Sequence, residues 1–347
     1  MSFPTSDDAA ASHYPSLPDI RRTAERLAGR VLRTPVWRWQ TGIVETLHPD
    51  TEVWLKLELF QKTGSFKVRG ALNCVLALDE AARRRGIVAA SAGNHAIAVA
   101  YAARVAGLHA KVVMPRHASP ARVAACRGFG AEVLLTDDVH SAFALAQQLV
   151  DDERRTMVHP FDGPLTALGT ATIGLELLEQ LPQLEAVVVP VGGGGLCAGI
   201  AAAVKQLNPA CRVYGVEPTG ADATWRSFQS GRPETLERVQ TVADSLGAPY
   251  ALPYSFSVNQ RFLDDIVRLP DDALCEAMYY LFRDVKLVAE PAAATAAAAL
   301  LGPLRQRLEG RKVGVIVCGS NLDPARFAEL LALGEAAARQ RETAQAR

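Results

Sequence analysis

The chain has no surplus of charge. Its 347 residues carry 37 Lys and Arg against 37 Asp and Glu, so the formal net charge is zero. Without a field of one sign, nothing steers it to nucleic acid or to an anionic membrane surface. Long apolar runs are missing too. The apolar stretches are Ala-rich and too short or too interrupted to span a bilayer. The opening residues, MSFPTSDDAAASHYP, lack the basic start and apolar run of a secretory signal. Cysteines lack any pairing pattern: Cys74, Cys126, Cys197, Cys211, Cys275 and Cys318 form no CxxC and meet no His at metal-ligand spacing. Reduced thiols in a cytoplasmic protein are expected, several of them buried. Internal repeats and low-complexity linkers are also missing. What remains is a globular protein, 49% hydrophobic and 21% charged, long enough for one large domain or two ordinary ones.

What is present is an alternation. Short apolar runs predict strands at 52–57, 86–90, 110–114, 132–135, 186–191, 212–217 and 313–318, with Ala-rich helical segments such as 96–106 and 197–206 between them. Continuous apolar strands separated by helices argue for parallel sheet covered on both faces, hence an α/β class. The stretch from Gly86 to about Pro160 holds three of these strands and is expected to form a small inserted domain.

Four segments carry chemistry. KTGSFKVRG, 62–70, follows the strand TEVWLKLE and precedes a helix predicted through 71–78. Thr63, Gly64 and Ser65 suit a turn and an N-cap. Lys67 then falls in the first helical turn, where free amides and positive partial charge disfavour an ammonium. A lysine held neutral there can form a Schiff base; a solvated surface lysine is the alternative. SAGNHAIAVA, 91–100, runs from a loop of Ser91, Ala92, Gly93 and Asn94 into a helix. It could seat a carboxylate or phosphate, or be an ordinary loop with Asn94 as the cap. His95 reads as a helix-start or packing residue rather than a metal ligand. PVGGGGLCAG, 190–199, brings a strand into Gly192, Gly193, Gly194 and Gly195, whose amides can surround a phosphate at a helix start. Gly193, Gly195 and Ala198 also fit GxGxxA, with Glu217 near the spacing of a ribose-binding acid. A nicotinamide-dependent (NAD) oxidoreductase therefore competes at this point. VIVCGSNLD, 315–323, ends an apolar strand in Cys318, where open α/β sheets bind ligands; a buried core thiol is the alternative.

In this order the segments resemble the fold-type II pyridoxal-phosphate (PLP) enzymes of the threonine dehydratase and serine racemase group. The pattern SFKxRGA stands as Ser65 to Ala71, SAGNHA as Ser91 to Ala96, and VGGGGL as Val191 to Leu196. VEP follows at 216–218, AEP at 289–291 and CGSN at 318–321. The resemblance covers roughly 17–333. It implies two open, twisted, mostly parallel sheets flanked by helices. A small domain, 85–158, would be inserted in a larger one, 17–84 and 159–333, between a flexible N-terminus, 1–16, and a C-terminal tail, 334–347, from 335 on a frayed or solvated helix end. It implies that Lys67 carries PLP as an imine and that Phe66 packs near the pyridine ring. Asn94 would bond the ring hydroxyl. The amides of Gly192, Gly193, Gly194, Gly195 and Leu196 would hold the phosphate. Cys318 would face the pyridine nitrogen and Glu290 would stand beside the cofactor. The implied substrate-binding set is Ser65, Ser91, Ala92, Gly93, Asn94, His95 and Ser245. The implied reaction is loss of water and then ammonia from L-threonine, L-serine or a related 3-hydroxy amino acid, giving a 2-oxo acid. A neutral thiol at Cys318 would leave the pyridine unprotonated and favour prompt loss of the hydroxyl. A homodimer is implied on the same ground.

Departures from the pattern sharpen this. Serine racemases carry Ser where Ala92 stands; a methyl group exchanges no proton, so dehydration without racemisation is expected. In relatives that bind a divalent cation, one carboxylate falls where Ala223 stands here, with Glu217 and the Ala221 carbonyl as the other ligands. No obligatory metal is expected. Ser245 stands where relatives usually have Gly. The stretch YALPYSFSVNQ resembles dehydratase-like proteins of hydroxyectoine breakdown, so a hydroxy-amino acid larger than threonine is the alternative substrate. After Asp323 no room is expected for an allosteric amino-acid-binding domain, which suits a catabolic role. An NAD-dependent oxidoreductase gives Lys67 and Asn94 no shared purpose. A cysteine-synthase-like enzyme would differ in its lysine and asparagine motifs, and a non-catalytic binding protein would need no reactive lysine.

Overall fold

The computed structural model describes residues 14–345; residues 1–13, most of the expected N-terminal segment, lie outside the described residues. Among the described residues ten strands form two sheets. They are β1 (Val36–Trp39), β2 (Glu52–Lys56), β3 (Ile87–Ala90), β4 (Ala110–Pro115), β5 (Glu132–Thr136), β6 (Thr156–Met157), β7 (Ala186–Pro190), β8 (Arg212–Pro218), β9 (Asp265–Leu269) and β10 (Lys312–Ile316). The six-stranded sheet has the order β1-β2-β10-β7-β8-β9 and is parallel apart from β1, which runs antiparallel to β2. The four-stranded sheet, β5-β4-β3-β6, is wholly parallel. The class is α/β, with helices flanking both sheets.

Strands β3 and β7 are buried at every residue. That is why they read as unbroken apolar runs: packed on both faces, they leave no polar alternation. Three strands go beyond the expected set. β1, β6 and β9 all lie at sheet edges. VWRW and DIVRL are of mixed burial and carry no apolar run, and β6 has two residues. The helix end expected from 335 on is present and exposed at Ala336, Arg339, Gln340 and Thr343, but it is not frayed. A helix runs continuously over Pro324–Gln345. It is docked: Ala338 is buried, and Arg341 donates to the Leu301 carbonyl at 2.8 Å and pairs with Glu276.

Each sheet has its own apolar cluster, and the helix Lys67–Leu76 is wedged between layers. On one side Val68, Leu72 and Val75 pack with Ile87, Val99 and Val112. On another, Arg69 reaches Glu58 and Glu176. The carboxyl ends of β2, β10 and β7 are neighbours in the six-stranded sheet and lead into the segments holding Lys67, Cys318 and the four glycines. The carboxyl end of β3 leads into Ser91. All four segments singled out in the sequence emerge where open α/β sheets bind ligands.

Candidate active site

Three helices start at one place: Lys67–Leu76, Asn94–Ala106 and Gly195–Leu207. Each brings free backbone N–H groups and the positive end of a helix dipole. A cavity between them is lined by Phe66, Lys67, His95, His159, Phe161 and Gly195, among others.

The lysine segment is pinned by its neighbours. The Phe66 amide donates to the Cys318 carbonyl at 3.1 Å, and Ser65 bridges to Gly319. Neither Thr63 nor Ser65 caps the helix: Phe66 takes the cap position with no side-chain bond, and the hydroxyls of Thr63 and Ser65 are buried without partners. The expected N-cap is thus corrected. Ser65 is drawn inward by its bridge to Gly319 and cannot turn back on the helix. Lys67 is the first helical residue, half-buried, and its Nζ donates to the Pro160 carbonyl at 2.6 Å. Loss of solvent lowers its pKa to about 8, against the opposing pull of Cys318 and Glu290. Burial, rather than the helix end alone, is the cause.

Asn94 is likewise not a cap. Gly93 holds that position and Asn94 opens the helix. This frees its carboxamide to form a chain across the site. Nδ2 donates to Glu290 Oε1 at 2.8 Å and to Ser245 Oγ at 3.3 Å, while Oδ1 accepts from Asn321 Nδ2 at 2.7 Å. Glu290 is buried with Oε2 unpartnered. Burial, then the charge of Asp244, raises its pKa to about 7. Burial also pushes the Cys318 thiol well above its usual value, so it is neutral. Ser91 Oγ accepts from the Gly93 amide at 3.1 Å, shaping the loop, and Ala92 is partly buried against the core of the four-stranded sheet.

The glycine loop is close to other chain on every side. Gly194 has φ +89, open to glycine at little cost. A Cβ on Gly195 would sit 2.0 Å from the Phe161 carbonyl oxygen, and one on Gly192 3.0 Å from Leu246 Cα. Gly193 faces the Phe161 ring, and Leu196 is buried. Four glycines are needed because backbone must lie where side chains would.

His95 is buried, and its Nε2 donates to the Val158 carbonyl at 2.8 Å. Burial lowers its pKa to about 3 and that of His159 to about 4, with the charge of Lys67 adding to both. Glu217 lies apart from the cavity. Its carboxylate accepts from the amides of Thr224 at 3.1 Å and Trp225 at 2.7 Å. Asp222 pairs with Arg226 and Arg268. Sequence reasoning did not single out His159, Phe161 or Arg122, and gave Asn321 only as the last residue of CGSN with no role. The first two follow β6, the two-residue strand that no apolar run announces.

A family model described as pyridoxal-phosphate dependent enzyme matches residues 28–319. A phenylserine dehydratase from Ralstonia pickettii is 49% identical over 323 residues, covering 92% of this chain and 98% of that protein. A catabolic L-threonine dehydratase from Escherichia coli is 38% identical, over 91% of this chain and 95% of its own. The structure of maize serine racemase superposes with a TM-score of 0.87 at 34% identity, covering 92% of this chain and 98% of that one.

Proposed function

The chain belongs to the pyridoxal-phosphate-dependent enzyme family, and from that membership we propose a carbon–oxygen lyase that removes water and then ammonia from a 3-hydroxy amino acid. L-Threonine, L-serine and larger relatives such as phenylserine are the substrate class. The first matches the catabolic L-threonine dehydratase, and the last matches the 49%-identical relative.

The residues present fit the cofactor. A glycine cradle at a helix N-terminus suits a phosphate, and a buried amine suits an aldehyde. The unpartnered oxygens of Ser65 and Glu290 are buried polar groups that a polar ligand would satisfy. We assign the phosphate to the amides of Gly192, Gly193, Gly194, Gly195 and Leu196. Phe66 and Asn94 would flank the ring, with Cys318 at its nitrogen and Glu290 behind Asn94. When bound, PLP supplies an aldehyde that captures the substrate amine and an electron sink for the charge left at Cα. Lys67 Nζ takes the Cα proton; a pKa near 8 leaves part of the amine free to do so at neutral pH. Ser91, Ala92, Gly93, Asn94 and His95, at the start of the helix Asn94–Ala106, orient the substrate carboxylate. Ser65 and Ser245 complete the pocket. The Cys318 thiol stays neutral and offers the ring nitrogen no charge.

The observation that carries this reading is the Lys67 amine, partly neutral and held in one cavity with the glycine loop. Lys67→Ala is expected to lower kcat by about a thousandfold or more and to abolish the visible colour of the holoenzyme. Ammonia release is measured over a panel of 3-hydroxy amino acids, including acylated diamino acids. A variant that stays coloured and active overturns the reading. We further propose a cytoplasmic homodimer with an inserted unit, 85–158. Six free thiols support the compartment. The four-stranded sheet, drawn wholly from Ile87 to Met157, supports the insertion. Among the described residues no helix is long and apolar enough to cross a membrane.

A further inference from the structure

His159 lines the cavity that holds Lys67, and its ring is fixed by its own loop. Nδ1 accepts from the Asp162 amide at 2.9 Å and the Phe161 amide at 3.3 Å. Both partners are donors, so Nδ1 cannot carry a hydrogen. The proton of the neutral ring is therefore on Nε2. The loop is itself anchored: Ser255 N donates to Asp162 Oδ1 at 2.8 Å, and Ser255 Oγ donates to the Phe161 carbonyl at 2.9 Å. The Phe161 ring stands edge-on to the imidazole at 4.7 Å. None of the hydrogen bonds among the described residues uses Nε2. Loss of solvent, and then the nearby Lys67 charge, keeps the ring neutral, with a pKa of about 4. His95 differs, since its Nε2–H is already committed to Val158.

We propose that His159 is a catalytic residue whose Nε2–H donates a hydrogen bond to the β-hydroxyl of the substrate as it departs. This rests on the lyase reading and deepens it by naming a leaving-group contact. In that step the Cβ–O bond breaks with its electron pair on oxygen, and the pair from the Cα–H bond forms the new double bond. The proton that Lys67 takes from Cα passes from Nζ to the departing oxygen and completes water. His159 steadies the charge on the departing oxygen without giving up its own proton. A neutral donor suits this, because it remains a donor throughout the neutral range.

The test compares a 3-hydroxy amino acid with β-chloro-L-alanine, whose chloride leaves without needing a hydrogen bond. His159→Phe keeps an aromatic ring but orphans two amides. His159→Asn keeps an acceptor oxygen at the position of Nδ1 and loses the reach of Nε2. For both variants, kcat with the hydroxy substrate is expected to fall about 10- to 100-fold, with a far smaller change for the chloro substrate. Nitrogen NMR of the wild-type imidazole is expected to show the Nε2–H tautomer, and the variants are expected to keep the cofactor's visible absorbance. Equal losses on both substrates, or an Nδ1–H tautomer, would overturn the proposal while leaving the lyase reading intact. A wild-type enzyme inactive on both substrates would overturn both.

Discussion

Two histidines held neutral beside a lysine make the protein acid-sensitive at single side chains. His95 titrates near 6.5 when solvated and near 3 in the fold, because burial and the charge of Lys67 disfavour the imidazolium. Between those values the unfolded chain binds a proton that the folded chain refuses. Stability contributed by His95 is therefore present above 6.5 and is lost as pH falls towards its folded pKa. His159 acts in the same direction over a narrower window, from 6.5 to about 4. His95→Gln removes one of these penalties, and its carboxamide can still donate to the Val158 carbonyl. The denaturation midpoint is expected to drop between pH 7 and pH 5 in both proteins, and by less in His95→Gln. Parallel drops would show that His95 is protonated without cost. Neither neutral state was legible in the chain, where His95 is just a histidine after an asparagine. Its neutrality is a property of what closes over it.

Arg69, two positions after Lys67, explains how the helix that starts at Lys67 is kept in place. It is fully buried. It donates to both oxygens of Glu58, at 2.8 Å each, and to Glu176 at 2.7 and 2.9 Å. Lys56, also fully buried, bonds Glu176 at 2.8 Å. Two cations thus meet two carboxylates, and the charges cancel. Arg69→Met would leave two carboxylates with one cation, so a loss of about 3–5 kcal/mol is expected, measured by denaturant unfolding. Arg69→Lys, restoring charge but not the fork, should recover part of it. A loss below about 1 kcal/mol would mean that the cluster anchors nothing. The motif SFKVRG announced the lysine but not this role, because its partners lie 11 and 107 residues away in sequence. The same divide runs through the fold. Central strands such as β3 and β7 were legible because burial on both faces demands apolar residues at every position. β1 and β9 were not, because VWRW and DIVRL break their apolar residues with charged ones and form no continuous apolar run. The four chemical segments were legible only together: singly, a surface lysine, an ordinary cap loop and a buried thiol explained three of them, and their order along the chain carried the resemblance. His159 and Phe161 were not, because β6 gives no strand signal.

Across the two sheets, Arg122 helps tie the layers together beside the 91–94 loop. Arg122, on the helix Pro120–Gly128, belongs to the four-stranded side. Its Nη1 donates to Asp244 at 2.8 Å, and its Nη2 and Nε donate to the Asn321 carbonyl at 2.6 and 3.2 Å. Ser119 adds a bond to Asp323 at 2.8 Å. Asn321 in turn holds Asn94, and Gly93 lies directly beneath the guanidinium. The arginine therefore couples the spacing of the two sheets to the loop assigned to the substrate carboxylate. Arg122→Met cuts these contacts while leaving Asp244, which is largely solvated, without a strong penalty. Loss of charge-assisted hydrogen bonds of this kind costs roughly 2 kcal/mol. Because the bonds lie between layers and not within either core, the loss should appear as local opening and not as general unfolding. Hydrogen exchange is expected to quicken in the 91–94 loop and the helix Pro120–Gly128, and to stay unchanged in β7. KM should rise more than kcat falls, since the carboxylate loop is loosened while Lys67 keeps its bond to Pro160. If exchange quickens equally in β7, Arg122 supports the whole fold. If it quickens nowhere, the layers are held by their apolar clusters alone, and the geometry of the 91–94 loop does not depend on this arginine.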